Sequence, residues 1–150
     1  MLMPAAHALL QAREDIERLA AGLTDDRLWQ RPGGAASAGF HLQHLAGALD
    51  RLFTYARNES LNETQRNELR AEGTPQAAAE LIERAYRTID RAIDQLRNTA
   101  PATVFDAREV GRAKLPATVI GLLFHGAEHT ARHVGQLITT LKVVKGSQAG

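Results

Sequence analysis

The chain has 150 residues, 44% hydrophobic and 23% charged, and its 18 basic and 17 acidic side chains leave a net charge of +1. That length suits one domain with a substantial core, and the near balance of charge lacks the basic footprint of a nucleic-acid binder. Cysteine is absent, which excludes disulfides, thiolate ligands, iron–sulfur clusters and a cysteine nucleophile.

Any metal must therefore be held by histidine, carboxylate, amide or water. The opening Met1-Leu2-Met3-Pro4 has no basic region followed by an apolar core, so it does not read as a signal peptide. No apolar stretch is long enough to span a bilayer. The expectation is a soluble, cytoplasmic protein with a small-molecule substrate and neither a nucleic-acid nor a membrane partner.

In chain order, a first helix is predicted from about Pro4, tolerated in a first turn, to Leu23, with Leu9, Ile16, Leu19 and Leu23 on its apolar stripe. A turn from Thr24 to Pro32 carries a short helical piece with Trp29 as a packing anchor, and Gly33-Gly34 breaks it. The second helix follows Ser37 and runs to Arg57. Its apolar arc is Leu42, Leu45, Leu49, Leu52, Phe53 and Ala56, with Gln43, Asp50, Thr54 and Arg57 opposite. Asn62 to Arg70 reads as a short polar helix or turn. Thr74-Pro75 supplies a cap and a first-turn proline for a third long helix reaching about Leu96.

Thr99 to Leu115 is the least regular stretch, with Val104-Phe105 and Val110 as loop anchors or a short strand. From Pro116 to about Val144 the helical pattern returns, placing Val119, Leu123, Thr130, Val134, Leu137 and Leu141 on one side. Four long amphipathic helices predict an all-α four-helix bundle with a short extra helix or turn. One domain over residues 1–145 and a frayed tail over 146–150 complete the expected organisation.

Five of the six histidines fall on two of these helices: His41 and His44 on the second, His125, His129 and His133 on the last. His7 reads as a surface residue. Histidines four apart lie about 6 Å apart along the helix axis on one face, whereas His125 and His133 are about 12 Å apart and cannot share an ion. The last helix thus offers either His125 with His129 or His129 with His133, and His129 belongs to both pairs.

Leu122, His125, His129, His133 and Gln136 form a narrow stripe beside the apolar arc. His44 borders the arc of the second helix with Ala48, Arg51 and Tyr55 near it, and His41 lies about 60° away. Two such stripes facing each other make a polar pocket of the kind in which bundles bind metals and ligands, and neutral imidazole is the commonest metal ligand. Glu128 and Arg132 read as an outward i,i+4 pair, Gln136 as a bundle-facing or ligand-supporting polar group, and Gly135 as a site of close helix packing. Thr130 stands where an HExxH protease has its glutamate base, so that device is rejected.

Gly39-Phe40-His41-Leu42-Gln43-His44-Leu45-Ala46, together with Ala127-Glu128-His129-Thr130-Ala131-Arg132-His133-Val134-Gly135-Gln136, resembles the DinB-like superfamily. The resemblance extends to Arg31-Pro32-Gly33-Gly34 and to the order of the helices. It implies an up-down-down-up bundle, often dimeric, with one divalent metal held by three histidines, here His44, His129 and His133. His41, His125, Gln136, Arg51 and Tyr55 are then candidates to line the pocket or support the ligands. Val134 stands where many members have arginine.

Relatives with assigned chemistry are thiol-dependent transferases and isomerases. The resemblance therefore implies a metal-dependent S-transferase-type enzyme with Zn or Ni foremost, Fe or Mn next, a low-molecular-weight thiol and a homodimer. The alternatives are a metal-dependent hydrolase, or a non-catalytic, stress-linked dimeric bundle that binds metal or ligand.

Overall fold

Where the apolar side chains recur at helical spacing, the chain is helical. The computed structural model describes residues 2–148 and orders them as α1 (Met3–Ala20), α2 (Asp25–Leu28), α3 (Ala38–Ala56), α4 (Glu63–Arg70), α5 (Ala78–Asn98), β1 (Ala107–Val110), β2 (Leu115–Thr118) and α6 (Val119–Gln148). The four long helices are α1, α3, α5 and α6. Their stripes meet in one core that includes Leu9, Ile16, Leu42, Leu45, Leu49, Leu81, Ile89, Leu123 and Leu137. Each such side chain, fully buried, contributes roughly 1.5–3 kcal/mol.

α1 and α6 run one way, α3 and α5 the other. The parallel pair arises because α4 and residues 71–77 carry the chain back along α3. Gln43 Nε2 near the start of α3 donates to Thr74 O at 2.7 Å, just before α5 begins. At the far end Gln95 Nε2 of α5 donates to Phe53 O of α3 at 3.0 Å. α6 packs against α3 and α1, and α5 against α3 and α1, so the four helices form a ring and the arrangement is up-down-down-up.

α3 starts where Ser37 accepts from Phe40 N at 3.1 Å, a side-chain cap for an orphan helix donor. Its polar face is not left to solvent: Gln43 and Thr54 are buried. α4 covers that face. Gln65, which completes a capping box with Asn62, also donates to Thr54 Oγ1 at 2.8 Å and to Asp50 Oδ2 at 2.7 Å.

α3 packs tightly on α6 at Gly126. A Cβ there would stand 2.8 Å from Phe53 Cε2 and 3.2 Å from Leu49 Cδ1. Gly135, expected to serve this purpose, has nothing within 4 Å of its Cβ position. Gly126 lies one turn before His129, so the tight crossing brings that histidine onto α3.

Several boundaries differ from the sequence expectation. α1 ends at Ala20 rather than Leu23, although Leu23 is buried. α5 begins at Ala78, not after Thr74-Pro75, and its first free donor, Ala78 N, is accepted by Asp25 Oδ1 at 2.8 Å. Between α5 and α6 the irregular stretch contains a hairpin, β1 paired antiparallel with β2, Val110 opposite Leu115 and Glu109 opposite Pro116.

Pro116 is thus a strand residue and not a helix start. A two-stranded sheet leaves each strand a free edge, which tolerates the missing N–H. Val110 packs on the core, while Phe105 is 78% exposed and anchors nothing. α6 continues through Gln148, into the segment expected to fray; residues 149–150 lie outside the described residues. No described helix is long and apolar enough to cross a membrane.

Candidate metal centre

With α6 pressed against α3 at Gly126, the two histidine stripes face each other. His44 Nε2 lies 3.0 Å from His129 Nε2. The His133 ring sits 4.7 Å from that of His44 and 4.5 Å from that of His129, centre to centre. One ligand atom from each of His44, His129 and His133 lies within 4.8 Å of the others. Of the two pairs that helical spacing left open on α6, this cluster contains His129 with His133.

His41 is buried and its Nδ1 meets His133 Nδ1 at 3.0 Å. His125 stands outside, with its side chain 53% exposed, 3.5 Å from Glu128 Oε2, and its ring 5.5 Å from that of His129. Glu128 also pairs with Arg132 on the outer face, as expected.

The remaining candidates are scattered. Gln136 is exposed. Tyr55 packs with the core, and its place on α3 is about 16 Å beyond His44 along the axis. Arg51 is at the site, but through a residue the sequence reading did not find. Glu72 Oε2 lies 2.8 Å from His44 Nδ1, and Glu72 Oε1 accepts from the Arg51 guanidinium at 3.0 Å. Glu72 follows α4 in a connecting segment, where no helical period marks it. Phe40 was also missed; its ring stacks on His44 at 5.4 Å, tilted by 11°.

Burial is the largest influence on His41, His129 and His133. It lowers His133, with help from His129, His44 and His41, to a pKa of about 4. Burial and neighbouring His44 also lower His129 and His41. For Glu72, burial acts to raise the carboxyl, but the His44 hydrogen bond and the Arg51 charge outweigh it and hold it below its ordinary value. At neutral pH His41, His129 and His133 are uncharged bases beside an anionic Glu72.

These residues fit a divalent metal. Uncharged imidazole nitrogens are the donor form, and two nitrogens on one tetrahedral ion stand roughly 3.3 Å apart given bonds of about 2.0–2.1 Å. The observed 3.0 Å is close to that separation. The other nitrogen of the His129 ring, Nδ1, is buried without a hydrogen-bond partner among the described residues, and an ion on Nε2 would not change that. Such a group costs about 1–3 kcal/mol, and the protein carries that cost at this cluster.

A family model described as the DinB superfamily matches residues 8–137. The chain belongs to the DinB superfamily. No curated protein sequence matches it, but solved structures do. A conserved protein from Enterococcus faecalis is similar with a TM-score of 0.78 at 15% identity, over 97% of this chain and 98% of that one. A DinB-like protein from Bacillus cereus ATCC 10987 has a TM-score of 0.67 at 16% identity, over 89% of each chain. A mycothiol-dependent maleylpyruvate isomerase has a TM-score of 0.65 at 15% identity, over 91% of this chain and 60% of that one. At these identities the likeness concerns the DinB fold, and the site stands on its own geometry.

Proposed function

We propose that the protein is a metal-dependent enzyme in which His44, His129 and His133 hold one divalent ion, Zn or Ni foremost, and which acts on a small molecule together with a low-molecular-weight thiol. The observation that carries this reading is the set of three imidazole donors within 4.8 Å of one another. Three protein ligands leave a coordination position open, the pattern of catalytic rather than closed structural sites. When bound, such an ion supplies Lewis acidity that lowers the pKa of a coordinated thiol or water.

The chain's own residues bind and orient. Glu72 and His41 hold the His44 and His133 rings, and Phe40 covers one face of His44. Exposed His125 and half-buried Glu128 put polar groups at the rim. Thiol chemistry is supported by the likeness to the mycothiol-dependent isomerase. Because the chain has no cysteine, the thiol must arrive with a small molecule. Homodimerisation and a cytoplasmic setting belong to the same reading, and sedimentation velocity tests the first.

The decisive experiment is elemental analysis of untagged protein before and after addition of Zn, Ni, Fe or Mn. One divalent ion per chain is expected, lost in His129→Ala while circular dichroism stays unchanged. Failure to take up any of these ions overturns the proposal. A thiol–electrophile screen of the loaded protein then separates an enzyme from a bundle that only binds metal, which would load and show no turnover.

A further inference from the structure

We propose that Glu72 is a positioning residue that fixes His44 in the tautomer with hydrogen on Nδ1, so that its Nε2 lone pair faces the centre. This deepens the metal reading above and rests on it. A carboxylate can only accept hydrogen bonds. Glu72 Oε2 at 2.8 Å from His44 Nδ1 therefore places the hydrogen of the neutral ring on Nδ1. The other nitrogen, Nε2, is the atom 3.0 Å from His129 Nε2.

The carboxylate itself is held in one orientation. Its second oxygen accepts from Arg51, and both side chains are largely enclosed, 13% exposed for Glu72 and 12% for Arg51. Gly47 makes room for the pair. A Cβ at this position would stand 2.8 Å from the Arg51 guanidinium and 3.1 Å from Glu72 Oε1.

The backbone that carries Glu72 is tied down on both sides of the next turn. Gln43 accepts from Gly73 N at 2.8 Å and donates to Thr74 O and to Gln76 Oε1. Trp29 Nε1 donates to Gln76 O at 3.0 Å. Phe40 stacks on the His44 ring, so the imidazole is held at one edge and on one face. Carboxylate partners of this kind orient ligating histidines and raise their basicity, and their loss typically weakens metal binding 10–100-fold.

The test uses the full chain with Zn²⁺ as probe. In metal-free, ¹⁵N-labelled wild type near pH 8, the His44 nitrogen shifts are expected to show hydrogen on Nδ1, and Glu72→Ala is expected to lose that preference. A merely structural ion pair would not move the tautomer. By calorimetry, Glu72→Ala is expected to bind Zn²⁺ 10–100-fold more weakly than wild type. The near-isosteric Glu72→Gln, whose amide oxygen still accepts from Nδ1, is expected to fall between the two and guards against an alanine variant that does not fold.

Hydrogen on Nε2 of wild-type His44, or Zn²⁺ affinity unchanged in both variants, overturns the proposal. If wild type takes up no metal, the proposed function fails, and the tautomer measurement still decides the role of Glu72.

Discussion

His44 stands between two supports of different origin. On one side, His129 and His133 come from a single stretch of α6, four residues apart, and need only one tight helix crossing to reach it. On the other, Glu72 comes from a connecting segment 28 positions later in the chain. It depends on Gln43, Trp29 and Asp25 to dock that segment and the start of α5. The first support is a property of helical periodicity plus one glycine. The second exists only after tertiary structure has formed.

The largest effect is expected from breaking the helical side. Gly126→Leu forces a side chain into Phe53 and Leu49. Overpacking of this kind costs about 3 kcal/mol, or roughly 6–12 °C in Tm for a chain of this size. Thermal circular dichroism checks it, and a Tm equal to wild type would mean that α3 and α6 separate without penalty.

Breaking the loop side is expected to cost less. Gln43→Ala removes three hydrogen bonds that hold residues 73–76, about 2 kcal/mol of net stability and roughly 4–8 °C in Tm. Hydrogen exchange should quicken in that segment and stay slow at His129–Val134. Uniform quickening would show that the two supports are not separable.

A third effect is a slope in pH. The folded protein holds His133 near 4 against an ordinary value of 6.5, and lowers His41 and His129. The unfolded chain therefore binds more protons between about 6.5 and 4, so stability is full above that window and is lost as pH falls through it. Tm of metal-free protein should decline on acidification from pH 7 to 4.5, and less steeply in His133→Gln. A flat profile would contradict the burial of the cluster.

The long helices were legible because each buries a stripe at 3.6-residue spacing, as Leu42, Leu45 and Leu49 do on α3. The histidines were legible for the same reason, and the two alternative pairs on α6 needed the DinB resemblance to choose between them. Pro116 misled because a first-turn proline and an edge-strand proline look alike in sequence, and four-residue strands are too short to display alternation. Thr74-Pro75 misled because the segment is held in place by Gln43 rather than continuing into α5. Glu72 was invisible among the acidic residues of the α4–α5 region: nothing local distinguishes a carboxylate that will meet His44 from one that will meet water.

The contact between Trp29 and Gln76 gives the molecule an optical handle. Trp29 is the one tryptophan in the chain, and its indole N–H is spent on the backbone of the segment that delivers Glu72. Its emission therefore tracks the seating of that segment without any label, while the imidazole cluster, which does not fluoresce, stays dark. A stopped-flow trace of Trp29 against metal uptake would time the two supports of His44 independently.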